Sequence, residues 1–377
     1  MDKLFFGSGL GNLVKIKHDK VKIDNYAFRL HYEVTVTILL VFSLMISATQ
    51  FFGEPISCIQ KDDISVKTLN TFCWIESTFT LPKTFNKKVG VEVAHPGVAK
   101  HEPGDEVKEH AYYQWVCFVT FLQALLFYVP RFMWRGFEEG KVKDMSLELS
   151  KPILSEKERN RNIMKLVTYF TTRKGKHCNY AWKYILCELL NFVNVISQIY
   201  LVDRFLGYEF TTFGSDVVRF TGTDPENRLD PMVRVFPRVT KCDFYRYGSS
   251  GDVQKHDALC LIPLNILNEK IYVFMWFWFV VLAVLSGLAL VYRTMVFFSP
   301  RIRYHLIFLL DRITPPQRLN AVLNRMSYGD WFLLQQVGHN IESRNFRDLL
   351  TELEREMASS SALMKEYNPQ DLVDINT

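Results

Sequence analysis

Charge is what four stretches of this 377-residue chain lack. Val34 to Phe52, Ala111 to Pro130, Tyr184 to Val202 and Ile271 to Tyr292 contain none of its 45 Lys and Arg and, of its 40 Asp and Glu, only Glu188. At about 1.5 Å per residue, runs of this length match a hydrocarbon core about 30 Å thick. Hydrocarbon cannot satisfy exposed backbone groups, so each run is read as a membrane-spanning helix. The chain's mean hydropathy lies near zero only because charge is confined to the segments between these runs.

Other absences exclude function classes. His95, His101, His110 and His256 show no paired metal-ligand spacing and are expected to be solvated surface residues; no metal site and no cofactor are expected. The Gly7-Ser8-Gly9-Leu10-Gly11 stretch is an incomplete phosphate-loop pattern with no strand ahead of it, and reads as a turn. No nucleophile or acid–base constellation stands out, so there are no catalytic candidates and an enzyme is disfavoured. No internal repeat with broken helices suggests a transporter, and no continuous basic face suggests a nucleic-acid partner. The opening Met1-Asp2-Lys3-Leu4-Phe5-Phe6 is not built like a secretory signal peptide, so the first span is expected to act as the signal anchor.

Basic residues orient the spans. Residues 131–183 hold 13 Lys and Arg, against 7 in residues 53–110 and 9 in residues 203–270. Cytoplasmic loops retain positive charge, so both termini and the middle loop are placed in the cytosol. The expected organisation is a cytoplasmic N-terminal segment (1–33), spans at 34–52, 111–130, 184–202 and 271–292, extracellular loops at 53–110 and 203–270, a cytoplasmic loop (131–183) and a cytoplasmic C-terminal region (293–377). Of seven cysteines, Cys58 and Cys73 fall in the first extracellular loop and Cys242 and Cys260 in the second. An even set on the oxidising side suits structural disulfides, and four cysteines permit three pairings.

Local patterns fill in the loops. Val66 to Thr80 should begin with a short helix. In the second loop Val217-Val218-Arg219-Phe220, Val233-Arg234-Val235-Phe236 and Phe244-Tyr245-Arg246-Tyr247 read as strands of a small sheet. Ser155-Glu156-Lys157-Glu158 is a capping-box pattern that opens an amphipathic helix carrying Ile163, Leu166, Val167 and Phe170. Its expected partner is the apolar face of Phe346, Leu349, Leu350, Leu353 and Met357. Pro130 should kink or end the second span.

Within the spans, Ser43, Ser47 and Gln50 share one helical face, which suits either a pore lining or a helix contact. Glu188, Asn191, Asn194 and Gln198 share a face of the third span. Interhelical hydrogen bonding, water exposure and proton coupling are all open to them.

Several motifs are similar to those of one family. They are Tyr112-Tyr113-Gln114-Trp115-Val116, Gly53-Glu54-Pro55-Ile56-Ser57-Cys58, Cys73-Trp74-Ile75, Phe236-Pro237-Arg238-Val239-Thr240-Lys241-Cys242, Lys255-His256-Asp257-Ala258-Leu259-Cys260 and Gly329-Asp330-Trp331-Phe332-Leu333-Leu334. From about Asn12 to Gly338 the chain resembles the innexins, the invertebrate gap-junction proteins. The resemblance implies an all-α membrane protein: a bundle of four transmembrane helices, extracellular loops clamped by disulfides around a small β-sheet, and a helical cytoplasmic region.

It further implies a subunit of a channel or hemichannel in the plasma membrane that passes ions and small metabolites passively between adjoining cells. The ring would be homo-oligomeric, an octamer being favoured, or mixed with other innexins, set in membrane lipid and docked to a ring on the apposed cell. Met1, Asp2 and Lys3 would approach the narrow part of the pore. The working pairing is Cys58 with Cys260 and Cys73 with Cys242, which would staple both ends of each loop together; a peptide joining Cys58 to Cys73 would refute it. The competing readings are a non-junctional large-pore channel like the pannexins, and more distantly a four-span adhesion or scaffold protein.

Overall fold

The computed structural model describes residues 21–61, 64–102, 104–151, 155–222 and 230–366, with side chains up to residue 359. Among the described residues four helices are long and apolar enough to cross a membrane: Tyr26–Phe52, Val116–Glu138, Cys178–Phe205 and Leu264–Phe298. These are the first to fourth spans below. Charge ends an apolar window, but backbone hydrogen bonding carries the helix on into polar residues, so the helices overrun their windows, except at the start of the second, where the α-helix begins only at Val116, inside the expected 111–130.

The first span begins at Tyr26 and is π-helical through Leu30–Thr35, where Thr35 Oγ1 donates to the Leu30 carbonyl at 2.8 Å. Arg29 pairs with Glu33 one turn on, at 3.0 Å. The span stops at Gly53, where a Cβ would sit 2.6 Å from the Thr49 carbonyl oxygen. The second span follows a 3₁₀ turn, Tyr112–Gln114. It does not end at Pro130: the ring costs one backbone donor in a buried setting, and the helix continues to Glu138. Glu139 and Gly140 then turn the chain with φ of 53° and 78°.

The chain divides into two compact units, and the division falls within the long helices. The bundle unit comprises Ala27–Arg131 and Glu188–Ala289. Beside its span segments it carries five antiparallel strands: β1 (Ser57–Ile59), β2 (Thr78–Thr80), β3 (Lys108–His110), β4 (Val239–Tyr247) and β5 (Val253–Leu261), in the spatial order β1-β5-β4-β2-β3. β4 and β5, nine residues each, form a hairpin with Val239 opposite Leu261 and Tyr247 opposite Val253. Asp243 faces Asp257 across it, and the like charges are balanced by Lys255 at 2.7 Å and Lys241 at 3.3 Å respectively.

Two of the three expected strands in this region are helices. Val217 to Phe220 lies in the helix Phe210–Thr221, because Phe210, Phe213, Gly214 and Val217 recur at helical spacing and turn into the core. Gly214 is required there, since a Cβ would meet the Trp276 ring at 2.1 Å. Val233 to Val235 lies in Pro231–Val235, which Asp230 caps by accepting from the Met232 amide at 2.9 Å.

The helical unit comprises Phe132–Cys187, Leu290 onward and the residues just ahead of the first span. Ser155 caps the helix Glu156–Thr172, its hydroxyl accepting from the Glu158 amide at 3.3 Å. The buried face of that helix, Ile163, Leu166, Val167 and Phe170, packs on the helix Ser343–Glu366, which buries Phe346, Leu349, Leu350, Leu353 and Met357. Arg159 reaches Asp348 at 3.5 Å across this contact. The helix Tyr328–Gly338 is buried along nearly its whole length.

Candidate channel-forming and docking elements

The Tyr-Tyr-Gln-Trp stretch packs largely into the bundle unit. Tyr113 is fully buried and donates to the Cys73 carbonyl at 3.3 Å, while Gln114 Nε2 donates to the Trp74 carbonyl. Tyr112 packs edge-on against Phe205 and Phe236. Only Trp115 is turned outward, 59% exposed. The motif therefore fixes the helix Val66–Ile75 to the start of the second span.

Two disulfides lie beside this keystone. Cys58 on β1 is bonded to Cys260, its direct partner on β5, and Cys73 on the helix Val66–Ile75 is bonded to Cys242 on β4. The sulfurs of Cys58, Cys73 and Cys260 lie within 4.8 Å of one another, so the two bridges sit side by side. Together they join the two loops at one point, while the far end of the β4–β5 hairpin projects Tyr245, Tyr247 and Val253, which are 55%, 78% and 64% exposed. His110 on β3 is not on the surface: it is buried and its Nε2 meets Thr80 Oγ1 at 2.8 Å. Burial, aided by the Lys108 charge, pulls the imidazole pKa down to about 3, so it is neutral here.

Polar residues in the spans point mostly into the subunit. Ser43 is buried and donates to the Cys117 carbonyl at 2.9 Å, and Gln50 Oε1 accepts from Cys117 Sγ at 3.5 Å, which makes these two contacts between the first and second spans. Ser47 is half-buried. Glu188, Asn191 and Gln198 are buried within a single chain, and Gln198 donates to the half-buried Asn194 at 3.3 Å. Glu188, Asn191 and Gln198 do not face water. The exposed face of the first span is instead Leu40, Val41, Leu44, Met45, Phe51 and Phe52. Sequence reading also missed His31, which is buried and hydrogen-bonded to Ser286 at 2.6 Å; a serine in so apolar a fourth span was the available signal.

Met1, Asp2 and Lys3 lie outside the described residues; Lys22 to Asn25, just ahead of the first span, are held in the helical unit. Asn340 grips Lys22 at both its backbone amide and its carbonyl, each at 2.6 Å. Trp134 Nε1 donates to the Ile23 carbonyl at 3.1 Å, and the Tyr184 hydroxyl accepts from the Asn25 amide at 3.2 Å. Three elements thus fix the chain immediately before the first span.

Within one chain, only 22–39% of each span's most apolar window is buried, so the outer faces need lipid or neighbouring subunits as partners. Four such helices, a disulfide-clamped sheet on two loops and a helical unit built from the middle loop and the C-terminal region define a four-span membrane protein with a rigid loop cap. The family model described as Innexin matches residues 24–357. Innexin inx2 of Schistocerca americana is 51% identical over 353 residues, covering 93% of this chain and 97% of that protein. Innexin inx2 of Drosophila melanogaster is 49% identical, covering 94% and 95%, and innexin shaking-B of the same species is 47% identical, covering 92% of each. The chain belongs to the innexin family, a family of gap-junction channel proteins.

Proposed function

We propose that this gap-junction subunit, a multi-pass protein of the plasma membrane, closes into an octameric ring around an aqueous pore and docks through its disulfide-clamped sheet to a ring on the next cell. Ions and small metabolites cross it passively, with selectivity set by pore diameter and lining charge. The ring forms from this chain alone or with other innexins, identical interfaces closing by cyclic symmetry. In this reading the sheet-bearing loops face outward, where disulfides persist, and both termini with the helical unit lie in the cytosol, in keeping with 13 basic residues in 131–183.

The observation that carries the docking reading is the pair of adjacent bridges, which make the two loops one rigid body beneath an exposed hairpin tip. The grip on Lys22 to Asn25 supports a second element: the residues ahead of it start from a fixed point, as a pore-lining N-terminal segment requires. The test is junctional conductance and dye transfer between paired cells expressing this chain, with unpaired cells as controls. Coupling confined to pairs supports a docking channel. Dye uptake by single cells without coupling favours a single-membrane large-pore channel instead.

A further inference from the structure

Asn340 follows the helix Tyr328–Gly338, in the short connection to the helix Ser343–Glu366. Both polar atoms of its carboxamide are committed: Oδ1 accepts from the Lys22 amide at 2.6 Å, and Nδ2 donates to the Lys22 carbonyl at 2.6 Å and to the Gln336 carbonyl at 2.8 Å. Gln336 lies in the last turn of the helix, so the third bond satisfies a carbonyl that the helix end leaves free and also locks the amide plane. The first two bonds are those that one residue of an antiparallel ladder exchanges with another, so a side-chain amide here takes the place of a strand.

The base of this clamp is fixed in its turn. Gly338 packs so closely that a Cβ would lie 2.8 Å from the Phe346 ring and 3.0 Å from Leu310. Beyond Asn340, the Glu342 amide and Asn345 Nδ2 both donate to the Leu149 carbonyl, at 3.3 and 2.8 Å. The C-terminal helix and the middle loop therefore both bear on the residue that holds Lys22. The grip ignores side chains on the segment it holds: Lys22 is exposed, and its amide and carbonyl, the Ile23 carbonyl held by Trp134 and the Asn25 amide held by Tyr184 are all main-chain groups. A hold of this kind fixes where a chain lies without reading its sequence.

We propose that Asn340 is a positioning residue for permeation: by setting the point from which the residues ahead of Lys22 start, it makes the C-terminal region a determinant of what crosses the pore. The proposal rests on the reading that the N-terminal segment lines that pore. Asn340 meets no permeant itself and acts through Lys22. Its chemistry is specific. Asn340→Asp keeps the shape but sets an oxygen against the Lys22 and Gln336 carbonyls, where two acceptors meet with no proton between them, and Asn340→Leu makes none of the three bonds.

Two measurements on the full-length protein separate the clamp from its consequence. Hydrogen exchange in nanodiscs reads the clamp: Asn340→Leu speeds exchange in a peptide spanning Lys22 to Asn25 by about fivefold or more, as loss of one net hydrogen bond requires, while peptides from the helix Glu156–Thr172 keep wild-type rates. Current reads the consequence. In channels carrying Asp2→Cys and fully labelled with a charged thiol reagent, the fraction of current lost falls at least about threefold when Asn340→Asp is added, because a released segment spends less time at the pore. A purely structural defect lowers the number of channels but not the block of each labelled one. Lys22→Pro, with no amide to donate, weakens the block in the same way, whereas Lys22→Ala loses the same charge, keeps the amide and does not. Unchanged exchange in Asn340→Leu, an unchanged block with both Asn340→Asp and Lys22→Pro, or a block as weak with Lys22→Ala as with Lys22→Pro overturns the proposal. If labelled Asp2→Cys takes no current from channels with Asn340 intact, the pore reading itself fails and the proposal falls with it, whatever the exchange rates.

Discussion

Asp330 Oδ1 accepts a hydrogen bond from His177 Nδ1 at 2.7 Å, and both residues are buried. The same carboxylate accepts from the Gly175 amide at 2.8 Å and closes a capping box with Ser327 at the start of the helix Tyr328–Gly338. One side chain thus ties the entry of the third span to the C-terminal region. Burial pushes the Asp330 carboxyl up, but the hydrogen bonds from His177, Gly175 and Ser327 outweigh it and hold the pKa below the ordinary carboxylate value. The resulting stability is present above the unfolded pKa and is lost as pH falls through the folded one. Asp330→Ala removes the cap and leaves buried donors unsatisfied, at a cost of about 2–4 kcal/mol. The expected outcome is a lower Tm and poor recovery of assembled protein by gel filtration; a wild-type Tm would contradict the assignment.

The bridge between Cys73 and Cys242 anchors a helix to the sheet, whereas the bridge between Cys58 and Cys260 joins two strands that already pair. Cys73→Ser should destabilise the loop cap by about 2–5 kcal/mol, within the usual range for loss of a native disulfide. Because Tyr113 rests on the Cys73 carbonyl, the damage should reach the start of the second span. Limited proteolysis would show faster cleavage near Val66–Ile75. Non-reducing peptide maps of the wild type should contain the two crossed pairs, and a peptide joining Cys58 to Cys73 would contradict the structure.

His110 sets a pH limit on the sheet. Its folded pKa of about 3 lies below the ordinary 6.5, so the unfolded chain binds a proton that the folded one does not. Stability from this residue is therefore complete above about pH 6.5 and declines below it by at most about 1.4 kcal/mol per pH unit, until the folded pKa is reached. Tm measured between pH 7.5 and 4.5 should fall less steeply in His110→Gln than in wild type. Parallel curves would show that another group governs the acid limb.

If Met1, Asp2 and Lys3 border the pore, channels carrying Asp2→Cys or Lys3→Cys should lose current when a charged thiol reagent is applied from the cytosolic side. Unchanged current in both variants, with labelling confirmed by mass, would remove this segment from the permeation path.

The spans could be read from sequence because a run of hydrocarbon length without charge has few other uses, and Ser155 to Glu158 announced a cap that the backbone then made. Their ends were less legible. Hydropathy marks where lipid stops, whereas Tyr26 and Glu138 mark where helical hydrogen bonding stops. The strand reading of Val217 to Phe220 weighed two β-branched residues above the helical spacing of Phe210, Phe213 and Gly214, whose core partner, Trp276, is distant in sequence. The direction in which Ser43, Glu188 and Gln198 point was also hidden. Periodicity shows that residues share a face but does not say whether that face meets a neighbouring helix, lipid or water. Tyr113 and His110 likewise depend on partners, Cys73 and Thr80, brought near by the fold.

If the clamped sheet is the docking face of a channel subunit, the hairpin tip is where docking is tested most directly. Tyr245 and Tyr247 are exposed at the end of β4, and replacing both with Ser removes apolar surface without touching either bridge. Junctional conductance between paired cells and membrane current in single cells would be recorded for wild type and for Tyr245→Ser/Tyr247→Ser at matched surface expression. The account predicts that coupling falls at least about tenfold, equivalent to about 1.4 kcal/mol of docking free energy, while single-cell current persists. Full coupling in the variant, or equal loss of both currents, would contradict it.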